Sequence, residues 1–198
     1  MIGVAMSNPP DQTAMTEEQI RAATIGEFES HAAAIHLAES DPEWPRLFER
    51  EAARIRGALG ERALQVEHVG STSVPGLAAK PVIDIVLVVA DSADEHSYVP
   101  DLEAYGYVLR IREPDWFEHR LLKGPDTNVN VHVFSRGCSE VRVMVDFRDQ
   151  LRVNTADREL YERAKRDLAA IEWKHVQNYA DAKTAVIAEI NARAQLGS

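Results

Sequence analysis

His68-Val-Gly-Ser-Thr-Ser-Val-Pro-Gly-Leu-Ala-Ala-Lys-Pro-Val-Ile-Asp-Ile-Val-Leu-Val-Val-Ala90 is the stretch on which the fold turns. It reads as the end of one strand, a Gly-Ser turn, a short connection and then a second strand. Residues 82–89 are almost continuously β-branched or Leu, apart from Asp84. Such a run suits a strand covered on both faces. A carboxylate inside it is costly unless it is paired or bound to a cation. Asp84 is therefore the residue that most needs a reason. The turn at Gly70-Ser71 offers a close backbone approach and a hydroxyl, which are what a phosphate group asks of a protein.

On the N-terminal side, residues 1 to about 40 read as a flexible segment with one short helix. Thr16-Glu-Glu-Gln19 has capping-box spacing and predicts a helix over Glu17–Ala23. Residues 41–198 read as one domain. Phe48, Ala52, Ile55 and Leu59 share one face of a helix that Gly60 ends. Residues 63–69 read as the first strand.

On the C-terminal side, a helix of about two turns ends at Gly106, and 107–112 is a strand. Glu113-Pro-Asp115 turns the chain, and 117–123 with 128–134 form a hairpin across Gly124-Pro-Asp126. Val141, Val143 and Val145 alternate like a strand, but 141–151 is assigned to a helix. Leu160, Ala164, Leu168 and Ile171 form an apolar stripe on the next helix, capped by Asn154 or Thr155. Ile187, Ile190 and Ala194 mark a last helix from about residue 181. The expected class is α+β with α/β-type layers: a mixed β-sheet flanked by helices, with a helical C-terminal part.

Composition narrows the partners. The chain has 198 residues, 45% of them hydrophobic, and a formal net charge of −10. That balance argues against broad nucleic-acid binding, which needs a basic face, but leaves room for a small anion in a local basic pocket. No apolar run reaches the roughly 18 residues of a membrane span. Met1-Ile-Gly-Val-Ala-Met6 does not read as a signal peptide. Cys138 is the sole cysteine, so no disulfide framework is expected, and a cytoplasmic setting fits.

Gly70-Ser71 followed some thirteen residues later by an acid on a strand is the spacing of a nucleotidyltransferase. There the turn holds a triphosphate, and carboxylates hold divalent metal. The plainer alternative is a tight turn and a buried Asp bonded to backbone. Strand alternation would put a second acid at position 86, where Val86 stands. Asn130 and His132 share a face of their strand, and with Asp84 they would suit zinc or another transition metal better than magnesium. The alternative for His132 is a histidine satisfied at a sheet end. His68 would face the same cleft to hold phosphate or move a proton, the alternative being a strand-end histidine bonded to backbone. Lys80, just before the Asp84 strand, is a candidate anion contact, with a solvated lysine as the alternative. Arg120, Lys123, Arg148 and Lys183 are read as surface charges, and Glu118-His119 is not built into a site.

The long central motif resembles the signature of the GrpB family. Further resemblance lies in Ile35-His-Leu-Ala-Glu-Ser-Asp-Pro-Glu-Trp-Pro45, Asn130-Val-His-Val-Phe134, Phe147-Arg-Asp149 and Tyr179-Ala-Asp-Ala-Lys183. The resemblance implies a fold like that of the polymerase-β-type nucleotidyltransferases. It puts Gly70 and Ser71, with Thr72, in the phosphate-holding turn. Asp84 would be the first metal carboxylate, and Asp84 and His132 the catalytic candidates. Magnesium, manganese or zinc is the candidate cofactor, with Asn130 and His132, from the strand-face reading, joining Asp84 as ligands. Val86 departs from the paired acids, and His132 stands where a third acid is expected. Two functions follow. One is binding of a nucleotide or phosphorylated small molecule, with metal-assisted nucleotidyl transfer. The other is an inactive folding-accessory module for a partner enzyme, since related domains occur attached to dephospho-CoA kinase.

Overall fold

The structure is a computed structural model and describes residues 15–26, 35–173 and 176–196. Strand β2 (Ile83–Val89) runs through the interior with every residue buried. Its alternation sorts the chain into two layers. Ile83, Ile85, Leu87 and Val89 point into one core, while Asp84, Val86 and Val88 turn to the opposite face. Strand β1 (Gln65–Val69) pairs with β2 antiparallel, and β5 (Val129–Ser135) pairs with it parallel. Next to β5 lie β4 (His119–Lys123) and then β3 (Val108–Glu113), both pairings antiparallel. The sheet order is β1-β2-β5-β4-β3. The expected mixed sheet flanked by helices is what the chain forms.

Helix α2 (Glu43–Leu59) lays Ala52, Ile55 and Leu59 on the first face, as its spacing predicts. Truncating a fully buried residue such as Ile55 to Ala costs about 2–5 kcal/mol. Helix α3 (Val99–Ala104) adds Val99 and Leu102 to that core. The second face is covered by α4 (Ser139–Val153), whose Val141 and Met144 meet Val69, Val86, Val88 and Phe134. The alternating valines are helical after all, because burial recurs at Val141, Met144, Arg148 and Leu151. Helices α5 (Thr155–Ala169), α6 (Val176–Asp181) and α7 (Thr184–Leu196) complete this side. Asn154 caps α5 by accepting a hydrogen bond from the Asp157 amide.

Several expected boundaries shift for identifiable reasons. Phe117 and Glu118 have φ of 53° and 51°, so they belong to the turn before β4 and not to a strand. The helix expected from about 181 is broken by the turn at Ala182 and Lys183, and α6 precedes it. On α5 the most buried residues are Asp157, Tyr161 and Lys165, and not the apolar stripe; Ile171 is half exposed. The side chain of Ala194 is not among those described.

Helix α1 (Glu17–Ala23) has the full capping box expected from Thr16 and Gln19. Thr24 then bridges Ile111 on the outer edge of β3, and Ala38 bridges Ala79. Residues 1–14 and 27–34 of the expected flexible segment lie outside the described residues. Among the described residues, no helix is long and apolar enough to cross a membrane.

Candidate functional site

The turn after β1 is built around contact with Asp84. In the β1–β2 register, Val69 lies opposite Asp84, so the next residue, Gly70, falls against the carboxylate. Gly70 has φ of 68°, and a Cβ there would come within 2.6 Å of Asp84 Oδ2. Residues Ser71–Ser73 then form a single tight helical turn. The Thr72 hydroxyl donates to the Val82 carbonyl at 3.0 Å and lies 3.1 Å from His68 Nε2. Helix α4 ties the turn from outside. Arg148 donates to the His68 carbonyl, and Arg152 donates twice to the carbonyl of Ser73.

Asp84 is buried and partnered through side chains. Asn130, opposite it on β5, donates its amide to Asp84 Oδ1 at 2.7 Å. The Asn130 oxygen accepts from the Lys123 ammonium, which fixes the direction of that amide. His132 Nε2 lies 3.6 Å from Asp84 Oδ1, too long for a hydrogen bond. Burial pushes the Asp84 carboxyl up, but the His132 imidazole, the Asn130 amide and the Lys123 charge together hold it below the usual carboxylate range.

A cavity of about 20 Å³ opens beside this carboxylate. Ser71 and Thr72 line it from the turn, and Asp84 and Lys80 from β2 and its approach. Lys165 of α5, Tyr179 of α6 and Lys183 of the turn after α6 close the other side, with Leu37 and Val82. Lys165 and Lys183 are buried, an arrangement seldom met without an anionic partner. Burial, reinforced by the Lys80 charge, lowers Lys183 to about 8. Burial, then the Lys183 charge, holds Lys165 well below the ordinary range. Lys165 donates to the Ala78 carbonyl, and Lys183 Nζ sits 4.7 Å over the Tyr179 ring. The Tyr179 hydroxyl is buried with no protein partner. Three ammonium groups facing one carboxylate make a pocket suited to an anion.

Asp84, Ser71, Thr72 and Lys80 thus meet in one cavity, with Asn130 and His132 behind the carboxylate. His68 does not face it. His68 stands opposite Ile85 on the α2 side of the sheet, stacked on Phe48 at 4.8 Å, because strand alternation turns it away from Asp84. From there it reaches the site only through Thr72. The basic residues read as surface charges are mostly interior. Arg120, Arg148 and Lys183 are buried, and Lys123 is half-buried against Asn130. Sequence reasoning passed over Lys165 because a lone lysine on an amphipathic helix looks solvated. It also passed over His119, whose Nε2 lies 3.1 Å from His132 Nδ1 and whose Nδ1 lies 2.7 Å from Glu113 Oε2.

The expected metal set does not fit. Asn130 turns its NH₂, not its oxygen, toward Asp84, and the other neighbours of the carboxylate are an imidazole and ammonium groups. Among the described residues, no group of three or more His, Cys, Asp or Glu side chains gathers as a metal site. Magnesium asks for several oxygens and zinc for about four ligands, and the side chains around Asp84 supply neither.

Comparison with known proteins agrees with the motif reading. The chain is 61% identical over 189 residues to a UPF0157 protein of Halalkalibacterium halodurans, covering 96% of this chain and 97% of that one. The crystal structure of conserved protein GrpB from Enterococcus faecalis matches with TM-score 0.72 at 32% identity, over 82% of this chain and 98% of that one. A shorter match, 46% identical over 78 residues, is to a dephospho-CoA kinase of Mycolicibacterium paratuberculosis, covering 38% of this chain and 19% of the kinase. The family described as GrpB protein matches residues 34–193, a span that takes in the Gly70 turn, all five strands and all three pocket lysines. The chain belongs to the GrpB family.

Proposed function

We propose that this chain binds a nucleotide or another phosphorylated small molecule, with its phosphate held between the Ser71–Thr72 turn and the ammonium groups of Lys80, Lys165 and Lys183. The observation that carries this reading is the convergence of buried lysines on a glycine-serine turn beside a single carboxylate. A phosphate dianion would favour the charged form of Lys165 and Lys183, which burial alone disfavours. It would also give the Tyr179 hydroxyl an acceptor. The cavity has room for about one water, so entry of a phosphate requires its walls to part. The turn-to-acid spacing supports a nucleotidyltransferase-like ancestry. The donor set around Asp84 does not fit a resident divalent ion. A chain whose lone cysteine is half-buried suits a reducing cytoplasm.

Isothermal titration with ATP, CTP, GTP, UTP and inorganic pyrophosphate, each with and without magnesium, manganese or zinc, tests the reading. Binding of at least one, weakened tenfold or more in Lys183→Met, is expected. Failure of all of them to bind the folded protein removes it. The similarity to part of a dephospho-CoA kinase favours a second reading, a folding-accessory module. On that reading no ligand binds, and Asp84→Ala merely destabilises the fold.

A further inference from the structure

Where carboxylates would be needed to hold a metal, the sheet carries a line of proton-bearing groups. Glu113 ends β3, His119 begins β4, His132 lies on β5 and Asp84 on β2, so one side chain comes from each of four neighbouring strands. The distances along the line are 2.7 Å from Glu113 Oε2 to His119 Nδ1, 3.1 Å from His119 Nε2 to His132 Nδ1, and 3.6 Å from His132 Nε2 to Asp84 Oδ1. Both histidines are buried, and their rings stack at 21° to one another. The Trp116 ring meets His119 edge-on at 5.1 Å, and Phe134 packs at 4.9 Å, which keeps water off the line. His132 Nε2 has no hydrogen-bond partner, so closing the last gap by a few tenths of an ångström would satisfy it.

We propose that Glu113, His119, His132 and Asp84 form a proton relay that shares one negative charge between the two ends, with Asp84 ionised while the pocket is free and Glu113 ionised once an anion occupies it. In the first state the Glu113 carboxyl donates to His119 Nδ1, His119 Nε2–H donates to His132 Nδ1, and His132 Nε2–H points at the Asp84 carboxylate. In the second state Glu113 has passed its proton to His119 Nδ1. His119 has passed its Nε2 proton to His132 Nδ1, and His132 has passed its Nε2 proton to Asp84. Each bond broken is matched by one formed, and no proton enters or leaves.

The drive is electrostatic. An incoming anion repels the Asp84 carboxylate that shares its pocket, and the relay lets that charge withdraw across the sheet. Lys80, Lys123 and Lys183 face the Asp84 end, Arg120 lies near His119, and Asp181 faces Glu113. The free state is favoured because lysines face the Asp84 carboxylate, while burial lifts Glu113 to about 7. Asp84 can thus act first as proton acceptor and then as donor toward a bound ligand, with Glu113 as the store.

The inference rests on the anion reading of the pocket, and the test separates the two. Imidazole nitrogen NMR on the full chain at slightly acid pH should find His119 and His132 neutral and both in the Nε2–H form. Saturation with inorganic pyrophosphate should move both to the Nδ1–H form. In His119→Phe, which keeps the ring packing, pyrophosphate binding should weaken about tenfold and take up one proton more than in the wild type, by calorimetry in buffers of different ionisation enthalpy. If either histidine is cationic or Nδ1–H in the free protein, or if the tautomers do not change when pyrophosphate binds, the relay is wrong. If neither pyrophosphate nor any of the four nucleotides binds, the anion reading fails, and the spectra of the free protein alone decide the relay.

Discussion

Gly70 has no side chain because the Asp84 carboxylate occupies the space where one would go. Adding a methyl group would force either the turn or the acid aside, at a φ of 68° that L-residues avoid. Gly70→Ala should therefore cost about 1–3 kcal/mol, read as a lower urea midpoint, while Gly76→Ala, with nothing within 4 Å, bears only the backbone strain. Glu113 makes a second prediction at this scale. Burial lifts it from an ordinary 4.5 to about 7. Its contact with His119 is a neutral hydrogen bond, since burial keeps that histidine uncharged. Between these values the folded chain binds more protons than the unfolded one, so this group's contribution falls as pH rises from 4.5 to 7. The loss is about 3 kcal/mol, and Glu113→Gln should flatten that slope in urea titrations across the window. Asp84 announced itself in the sequence because one carboxylate interrupts an apolar run. Glu113 and His119 did not, because charged and apolar residues mix in that turn, and only the folded sheet brings it beside His132.

At the scale of elements, the pocket is a contact between two kinds of structure. One wall is the β1–β2 connection, and the other comes from α5 and the segment joining α6 to α7. The first wall was legible because Gly-Ser and a β-branched run leave local signatures. The second was not, because the face of α5 that turns inward is Asp157, Tyr161 and Lys165, and amphipathic pattern reading assigns charge to solvent. Such a face sacrifices stability. Lys183→Met should raise stability near neutral pH by about 2 kcal/mol, because it removes an ammonium that burial holds at about 8. In the wild type the unfolded chain binds more protons than the folded one between about 8 and 10.5, so stability should climb across that range. The variant should show no such climb. Denaturation followed by circular dichroism from neutral to alkaline pH reads both effects, and a variant less stable than wild type at pH 7 would contradict the account.

For the whole molecule, the mixed character of the sheet was legible, but its strand order was not. The continuous apolar run of β2 demands cover on both faces, and the short turn of the β4–β5 hairpin demands an antiparallel pair. Nothing local says that β2 takes β5 as its parallel neighbour across some forty residues of chain. That pairing is fixed by which valines fill the core between the sheet and α2. The resulting order leaves β1 and β3 at the edges, where unpaired backbone invites another strand. Glu67 on β1 carries a charge, paired with Arg148, which discourages such pairing there. On β3 the edge is met by the residues after α1: Thr24 bridges Ile111, and the Ile25 amide donates to the Arg110 carbonyl at 2.8 Å. The short segment thus acts as a cover for an otherwise open strand. Removing residues 1–26 should expose that edge, so light scattering should report self-association that grows with protein concentration. A truncated chain that remains monomeric would mean that the edge is guarded by its own residues instead.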